Sequence, residues 1–371
     1  MGESGEFARF EAEAPYAAAL ASLPLQTPMR LRRLITVGPP SLVWALVRAG
    51  ERPVGGVPDD AWRAWRSARA RTPEDLADAC DACGATILTV GDPRYPRPLV
   101  GDPAAPAVLF ARGDTSHLLR RRAGIVGTRS ATRTGRHFAR TLGGQLASEG
   151  VCVVSGLARG IDVESHAGAL QNHNGAAPAA VVASGPDVVY PPEHARIWDE
   201  VGNRGVLLTE APPGTPPEPH RFPMRNRVLA GLSEVLVVVE SRRTGGSMIT
   251  VREAAKRDVT VLAVPGSPGA RSSEGTNELL RDGCGPVTSV DDVLVALGLD
   301  TRNSDGWCDT RRQPAADERC VLDAMGRGPR TVDEVAISAS MSVVRAAVLL
   351  GRLEASGWVA QSEGWWEALR M

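Results

Sequence analysis

Four short stretches of the 371-residue chain combine glycine, hydroxyl and arginine side chains at close spacing. They are Gly127-Thr128-Arg129-Ser130 with Gly135 beyond it, Ser155-Gly156-Leu157-Ala158-Arg159-Gly160-Ile161-Asp162, Arg242-Arg243-Thr244-Gly245-Gly246-Ser247, and Pro265-Gly266-Ser267. Glycine lets backbone N–H groups approach a ligand, a helix opening just after such a loop adds partial positive charge, and Ser or Thr hydroxyls add donors. That combination is anion-binding chemistry. A fifth stretch is the most basic: His220-Arg221-Phe222-Pro223-Met224-Arg225-Asn226-Arg227 puts three arginines within seven residues. Alone, such a run is as well explained by a solvated surface. Together with the Gly/Ser/Arg loops it favours a site for several phosphates, which planar guanidinium groups suit.

Exclusion narrows the ligand. After Ile125-Val126 only Gly127 and Gly135 are present, so the G-x-G-x-x-G fingerprint is missing and NAD or FAD is disfavoured. The Walker pattern is missing too, and the chain's single lysine, Lys256, falls in the middle of a predicted helix. No cofactor is assigned. Asp162 and Glu210 lie near predicted strand ends and could form a carboxylate pair, and His166 could bond Asp162 across one helical turn. Helix capping by Asp162 and packing for the others explain them as well. No set of residues demands catalysis, so no catalytic residue is assigned. Cys80 and Cys83 form a C-x-x-C without a second pair or a His-x-x-x-His at a fitting spacing, so no metal site is expected.

The elements that must carry these loops emerge from the pattern of apolar runs. Short runs at 123–127, 151–155, 179–183, 205–209, 234–240 and 259–264 are continuous, not alternating, as in strands buried on both faces. Intervening stretches such as Thr134 to Glu149 and Ser247 to Arg257 are long enough for crossover helices. The fold class is therefore α/β, a Rossmann-like doubly wound parallel sheet, whose ligands gather at the carboxyl ends of the strands. Before it, from Ala17 to about Ala70, apolar residues at three- and four-residue spacing predict short helices, two of them broken at Gly38-Pro39-Pro40. Gly91 to Gly113, rich in Pro and Gly, reads as an ordered connector. After a polar linker, Val321 to Trp366 reads as helix, helix, helix, hairpin, the winged-helix pattern. The boundaries expected are 1–84 for the helical domain, 85–299 for the sheet domain, 300–316 for the linker and 317–371 for the winged helix.

Composition agrees. At about 150 residues per domain the length suggests two or three domains. The 42 basic and 43 acidic residues give a net charge of −1, and 43% hydrophobic with 23% charged residues excludes disorder as the main state and a uniformly basic binder. Six scattered cysteines, an opening without the apolar segment of a signal peptide, and no apolar run near the eighteen or so residues of a membrane span predict a reduced, cytoplasmic protein.

The motifs also spell a family. Ile125-Val126-Gly127-Thr128-Arg129 with Gly135, Ser155 to Asp162 with His166 and Ala169-Leu170, Tyr190-Pro191, Phe222 to Arg227 with Gly231-Leu232-Ser233, Thr244 to Thr250, Val264-Pro265-Gly266 and Gly275-Thr276-Asn277 resemble, in order, the DNA-processing protein A family, also called Smf. The resemblance implies a helical sterile-alpha-motif-like (SAM-like) domain, a Rossmann-type domain and a winged-helix tail. It implies a non-catalytic role, that of a homodimer, not an enzyme, that binds single-stranded DNA entering the cell in natural transformation, protects it and loads RecA onto it. Carried over by position, Arg129 and Arg159 are the foremost phosphate clamps, and Arg225 and Arg227 line the same groove with Asn226 positioning them. The full expected phosphate-binding set is Gly127, Thr128, Arg129, Ser130, Ser155, Gly156, Arg159, Gly160, Arg221, Arg225, Asn226, Arg227, Thr244, Gly245, Gly246 and Ser247. The run Val182 to Asp187 departs from the family's Gly-x-Gly-x-Asp. With 4% aromatic residues and only Phe222 expected near the groove, charge should outweigh stacking and affinity should fall steeply with salt.

Two rival functions remain. One is a phosphoribohydrolase similar to the lysine-decarboxylase-like family, but Arg243 to Met248 lacks that family's Pro-Gly-Gly-x-Gly-Thr. The other makes the winged helix a duplex DNA binder, but its third helix, Ser342 to Ala355, carries only Arg345 and Arg352 as basic residues, few for groove entry.

Overall fold

The computed structural model describes residues 3–53, 57–67, 70–299, 312, 314–326, 329–362 and 364–369. Cys308 and most of the expected linker lie outside them. The chain opens with five helices, α1 (Glu3–Ala21), α2 (Pro28–Ile35), α3 (Pro40–Ala49), α4 (Asp59–Ser67) and α5 (Pro73–Cys83). Local chemistry sets their ends. The Thr27 hydroxyl caps α2 by accepting from Arg30 N. The break expected at Gly38-Pro39-Pro40 separates α2 from α3. Thr72 and Asp75 form a capping box on α5, with Thr72 N donating to Asp75 Oδ2 at 2.8 Å and Asp75 N to Thr72 Oγ1 at 3.1 Å.

The connector continues the sheet. Strand β1 (Ala85–Thr89) pairs antiparallel with β2 (Val108–Gly113), Ile87 opposite Phe110. Between them Tyr95 Oη donates to Pro106 O at 2.6 Å, so the Pro-rich segment is ordered as expected, although its last residues are strand β2. The hairpin is apolar on both faces. Ile87, Val108 and Phe110 are buried with Leu20, Leu34, Val43, Trp65 and Leu76 of the helices, so helices and hairpin share one core across positions 84 and 85. Leu88, Leu109 and Ala111 face the core of the main sheet.

The main sheet comes next as alternating strands and helices: β3 (Arg122–Val126), α6 (Arg133–Ser148), β4 (Cys152–Ser155), α7 (Ile161–Gln171), β5 (Ala179–Val181), α8 (Ala195–Arg204), β6 (Val206–Thr209), α9 (Arg221–Leu232), β7 (Val235–Val238), α10 (Ser247–Ala255), β8 (Thr260–Ala263), α11 (Glu274–Arg281), β9 (Gly285–Pro286) and α12 (Val290–Ala296). All six apolar runs read from the sequence are strands. The nine strands lie in the order β1-β2-β6-β5-β4-β3-β7-β8-β9, parallel from β6 to β9, with the β1–β2 hairpin as an antiparallel extension. Both faces are covered: Leu236 and Val238 of β7 join one buried cluster, Val235 and Val237 another. From β3 the chain winds outward through β4, β5 and β6, then returns to place β7 on the other side of β3. That reversal is the topological switch point.

Residues 302–371 form a separate compact unit. Helices α13 (Ala316–Met325), α14 (Val332–Ser338) and α15 (Val343–Ala355) precede a hairpin of β10 (Val359–Ser362) and β11 (Trp365–Ala368), which is a winged-helix domain. Val321, Met325, Val335, Leu349, Leu350, Leu353 and Val359 fill its core. Thr331 caps α14 in a box with Glu334, and Arg330 bridges to Trp366, extending the hairpin by one pair.

Candidate nucleic-acid interface

The carboxyl ends of the parallel strands carry the Gly/Ser/Arg loops, as read from the sequence, but their side chains divide sharply. A recess opens at the ends of β3, β4 and β5, lined by Arg129, Arg159, Ser184, Tyr190, Pro191 and Phe222 among others. Arg129 is exposed, and its guanidinium lies 5.0 Å from the centre of the Phe222 ring. The Tyr190 ring packs 5.6 Å from Phe222 at a tilt of 57°. Two rings and a cation thus meet in one open recess. Residue spacing places Phe222 there but not Tyr190, which arrives from the segment after β5, 32 positions earlier in the chain. Arg159 is also exposed and forms an ion pair with Glu193.

The α9 arginines point the other way. Arg225 is buried, 7% exposed, and its Nη1 donates to Gly156 O at 2.8 Å and also to Val181 O. Arg227 donates to Ala104 O and pairs with the Glu210 carboxylate. Neither lines the groove, contrary to expectation, and among the described residues no side-chain hydrogen bond joins Asn226 to either. The physical reason is the supply of acceptors. Strand-end carbonyls and a half-buried carboxylate lie within reach, and a buried guanidinium must be matched by such partners. Arg225 and Arg227 therefore fasten α9 to the sheet and set Phe222, one turn earlier, at the rim. Arg221, partly buried, pairs with Glu218 at 3.1 Å.

The loop after β4 is held from two sides: Arg225 takes Gly156 O and His194 Nδ1 lies 2.9 Å from Leu157 O, with Asp162 buried at the start of α7. Leu157 has φ 52, a left-handed conformation that such a framework can impose on a buried leucine. Gly156 is obligatory because a Cβ would collide with Arg225 Nη1, and Gly160 because a Cβ would collide with Thr128 O. These glycines let protein groups close on one another, which is a different use from the ligand approach expected of them. Burial pushes Asp162 up to about 6, against the pull of Arg225. His166 does not bond Asp162: its Nε2 lies 3.2 Å from Ala179 O, its Nδ1 has no partner among the described residues, and burial pulls it down to about 4. Asp162 and Glu210 accompany Arg225 and Arg227 respectively, and burial also raises Glu210. Each carboxylate thus serves its own arginine, and the two do not act as a pair.

The remaining expected residues divide likewise. Ser155 Oγ donates to Ile125 O at 2.6 Å and Ser247 Oγ to Ser241 Oγ at 2.8 Å, both buried, so neither hydroxyl is offered to a ligand. Ser130 and Thr244 are exposed, and Gly246, also exposed, precedes α10. Gly245 closes a turn by donating to Arg242 O at 3.0 Å. Gly127 and Thr128 are half-buried, and Thr128 Oγ1 accepts from Ser130 N. The Thr244-to-Ser247 loop comes after β7, on the far side of β3 from the recess. In the winged helix, α15 exposes Val344 and Val348, and Arg345 is paired with Asp317 at 2.8 Å. Arg352 is exposed on the same helix.

Comparison with known proteins is consistent with this geometry. The family model described as DNA recombination-mediator protein A matches residues 86–298, and one described as the DprA winged helix domain matches residues 309–364. A putative DNA processing protein DprA of Mycobacterium tuberculosis (strain CDC 1551 / Oshkosh) is 37% identical over 275 residues, covering 72% of this chain and 69% of that protein. Protein Smf of Escherichia coli (strain K12) is 34% identical over 283 residues, covering 74% and 75%. The X-ray structure of DNA processing protein A from Streptococcus pneumoniae superposes with a TM-score of 0.63 at 29% identity, over 75% of this chain and 95% of that one. The protein of Helicobacter pylori, described for its single-stranded DNA binding mode, superposes with a TM-score of 0.51 at 27% identity, over 57% and 95%.

Proposed function

The chain belongs to the DNA recombination-mediator protein A family, and from that premise we propose that it binds single-stranded DNA at the recess formed by Arg129, Arg159, Tyr190 and Phe222. The observation that carries the reading is the Arg129 guanidinium over the Phe222 ring, with Tyr190 beside it. A strand needs both a cation for its phosphates and flat apolar surfaces for its bases, and sequence-tolerant binding results when the two lie together. Ser130 and Thr128 add hydroxyls beside Arg129. Arg225, Arg227, Asp162 and Glu210 hold this surface in shape and touch no phosphate.

In this reading the protein does no chemistry on the strand. It protects incoming DNA and loads RecA onto it, acting in the cytoplasm as a homodimer joined through the sheet domain. The test is fluorescence anisotropy with labelled oligo-dT, competed by duplex, at several salt concentrations. Phe222→Ala should cost about 1–3 kcal/mol of binding. Arg129→Ala should lower the salt slope by about 0.7 for a single lost phosphate contact. Folded variants of both that bind as the unaltered protein does would refute the site.

A further inference from the structure

In a doubly wound sheet the phosphates of a bound nucleotide sit at the switch point, against the N terminus of the helix after the first strand. Here that position lies between β3 and β7, at the start of α6, and the chain fills it itself. Glu240, just past β7, is 8% exposed and aims its carboxylate at the first turn of α6. Thr132 N donates to Oε2 at 2.9 Å and Thr132 Oγ1 to Oε1 at 2.5 Å, while the same Oγ1 accepts from Gly135 N at 3.0 Å. At Gly135 a Cβ would lie 2.5, 2.6 and 2.7 Å from the three carboxylate atoms, so the helix surface is cut to admit that group. The main chain fixes it further, with Thr128 N donating to Glu240 O at 2.7 Å and Val239 N to Val126 O at 3.1 Å.

We propose that Glu240 is an internal substitute for a nucleotide phosphate, a specificity-determining residue that closes the Rossmann-type seat to mononucleotides and dinucleotides. A buried anion already takes the helix N terminus, and a second anion there would meet both its volume and its charge. Phosphates are thereby confined to the outside of the rim, where Arg129 stands.

The experiment uses the full chain and pyrophosphate, with calorimetry for affinity and amide NMR shifts for location. Glu240→Ala empties the seat and leaves Thr132 N and Oγ1, at the start of α6, without their carboxylate. It should bind pyrophosphate about tenfold or more tightly than the unaltered protein, with shifts at Thr132 to Gly135. Glu240→Gln keeps the seat filled and should show no such gain. Glu240→Ser, which leaves space and a hydroxyl for Thr132, serves as the second variant should the alanine protein not fold. The proposal is overturned if a folded Ala or Ser variant binds pyrophosphate no tighter than the unaltered protein, or if the unaltered protein already shows those shifts.

Discussion

On the carboxyl edge of the sheet, the loops after β3 and β4 hold Arg129 and Arg159 in solvent, whereas α9, which carries Phe222 at the rim, holds Arg225 and Arg227 inside. By sequence all four form one class of phosphate clamp. They differ in the company each keeps. Arg129 rests on a ring and Arg159 on an exposed carboxylate, both of which leave most of the guanidinium hydrated. Arg225 gives Nη1 to two carbonyls with Asp162 near by, its buried Nε having no partner among the described residues, and Arg227 ends on Glu210 and a carbonyl. An arginine in a basic motif is thus a ligand group or a brace according to the acceptors that the fold brings to it.

The largest effect should come from the brace. Arg225→Met leaves Gly156 O, Val181 O and Asp162 buried without their cation, and should cost about 3–5 kcal/mol in urea denaturation, with loss of strand binding as a consequence. An unaltered unfolding midpoint would return Arg225 to the ligand class.

Next comes the pH dependence of the buried groups beside it. Asp162 rises from 3.8 to about 6 on folding, so the stability it contributes is full below pH 4 and lost as pH rises through 6. His166 falls from 6.5 to about 4, so its contribution is full above pH 6.5 and lost as pH falls through 4. The two slopes oppose one another over the same window. Urea titrations of the unaltered protein between pH 4 and 6.5 should show little slope from this pair. His166→Asn should unmask a fall in stability with rising pH, and Asp162→Asn a rise, each of order 3 kcal/mol across the window. Parallel profiles for both variants would show that burial does not set these two groups apart.

The smallest effect tests the exposed side. Glu193→Gln releases Arg159 from its surface pair and should tighten oligo-dT binding a few-fold at low ionic strength, the gain fading as salt is raised. Weaker binding would mean that Glu193 orients Arg159 for the strand.

Much of this was legible in the chain. Continuous apolar runs announced the six parallel strands, and three helical segments followed by a hairpin announced the winged helix, because both rest on local pattern. The hairpin of β1 and β2 was hidden: Ala85 to Thr89 is a short run, and prolines dominate the residues after it, so only pairing with β6 reveals Val108 to Gly113 as strand. At the site, residue type located the rim, and Arg129, Arg159 and Phe222 fell where the spacing put them. Tyr190 and the inward turn of Arg225 and Arg227 could not be read, since both depend on residues far away in sequence, such as Gly156, Val181 and Ala104. Glu240 gave one faint sign, an acid ending an apolar strand, with nothing to say that Thr132 would receive it.

The shared core of helices and hairpin bears on how the molecule can be taken apart. A fragment begun at Ala85 would carry Ile87, Val108 and Phe110 as an oily flank in water, a surface prone to self-association. Anyone seeking a minimal strand-gripping piece should therefore trim from the other end, where residues after 301 belong to a body of their own. The amino-terminal bundle is upholstery for the sheet, and stripping it would spoil the furniture.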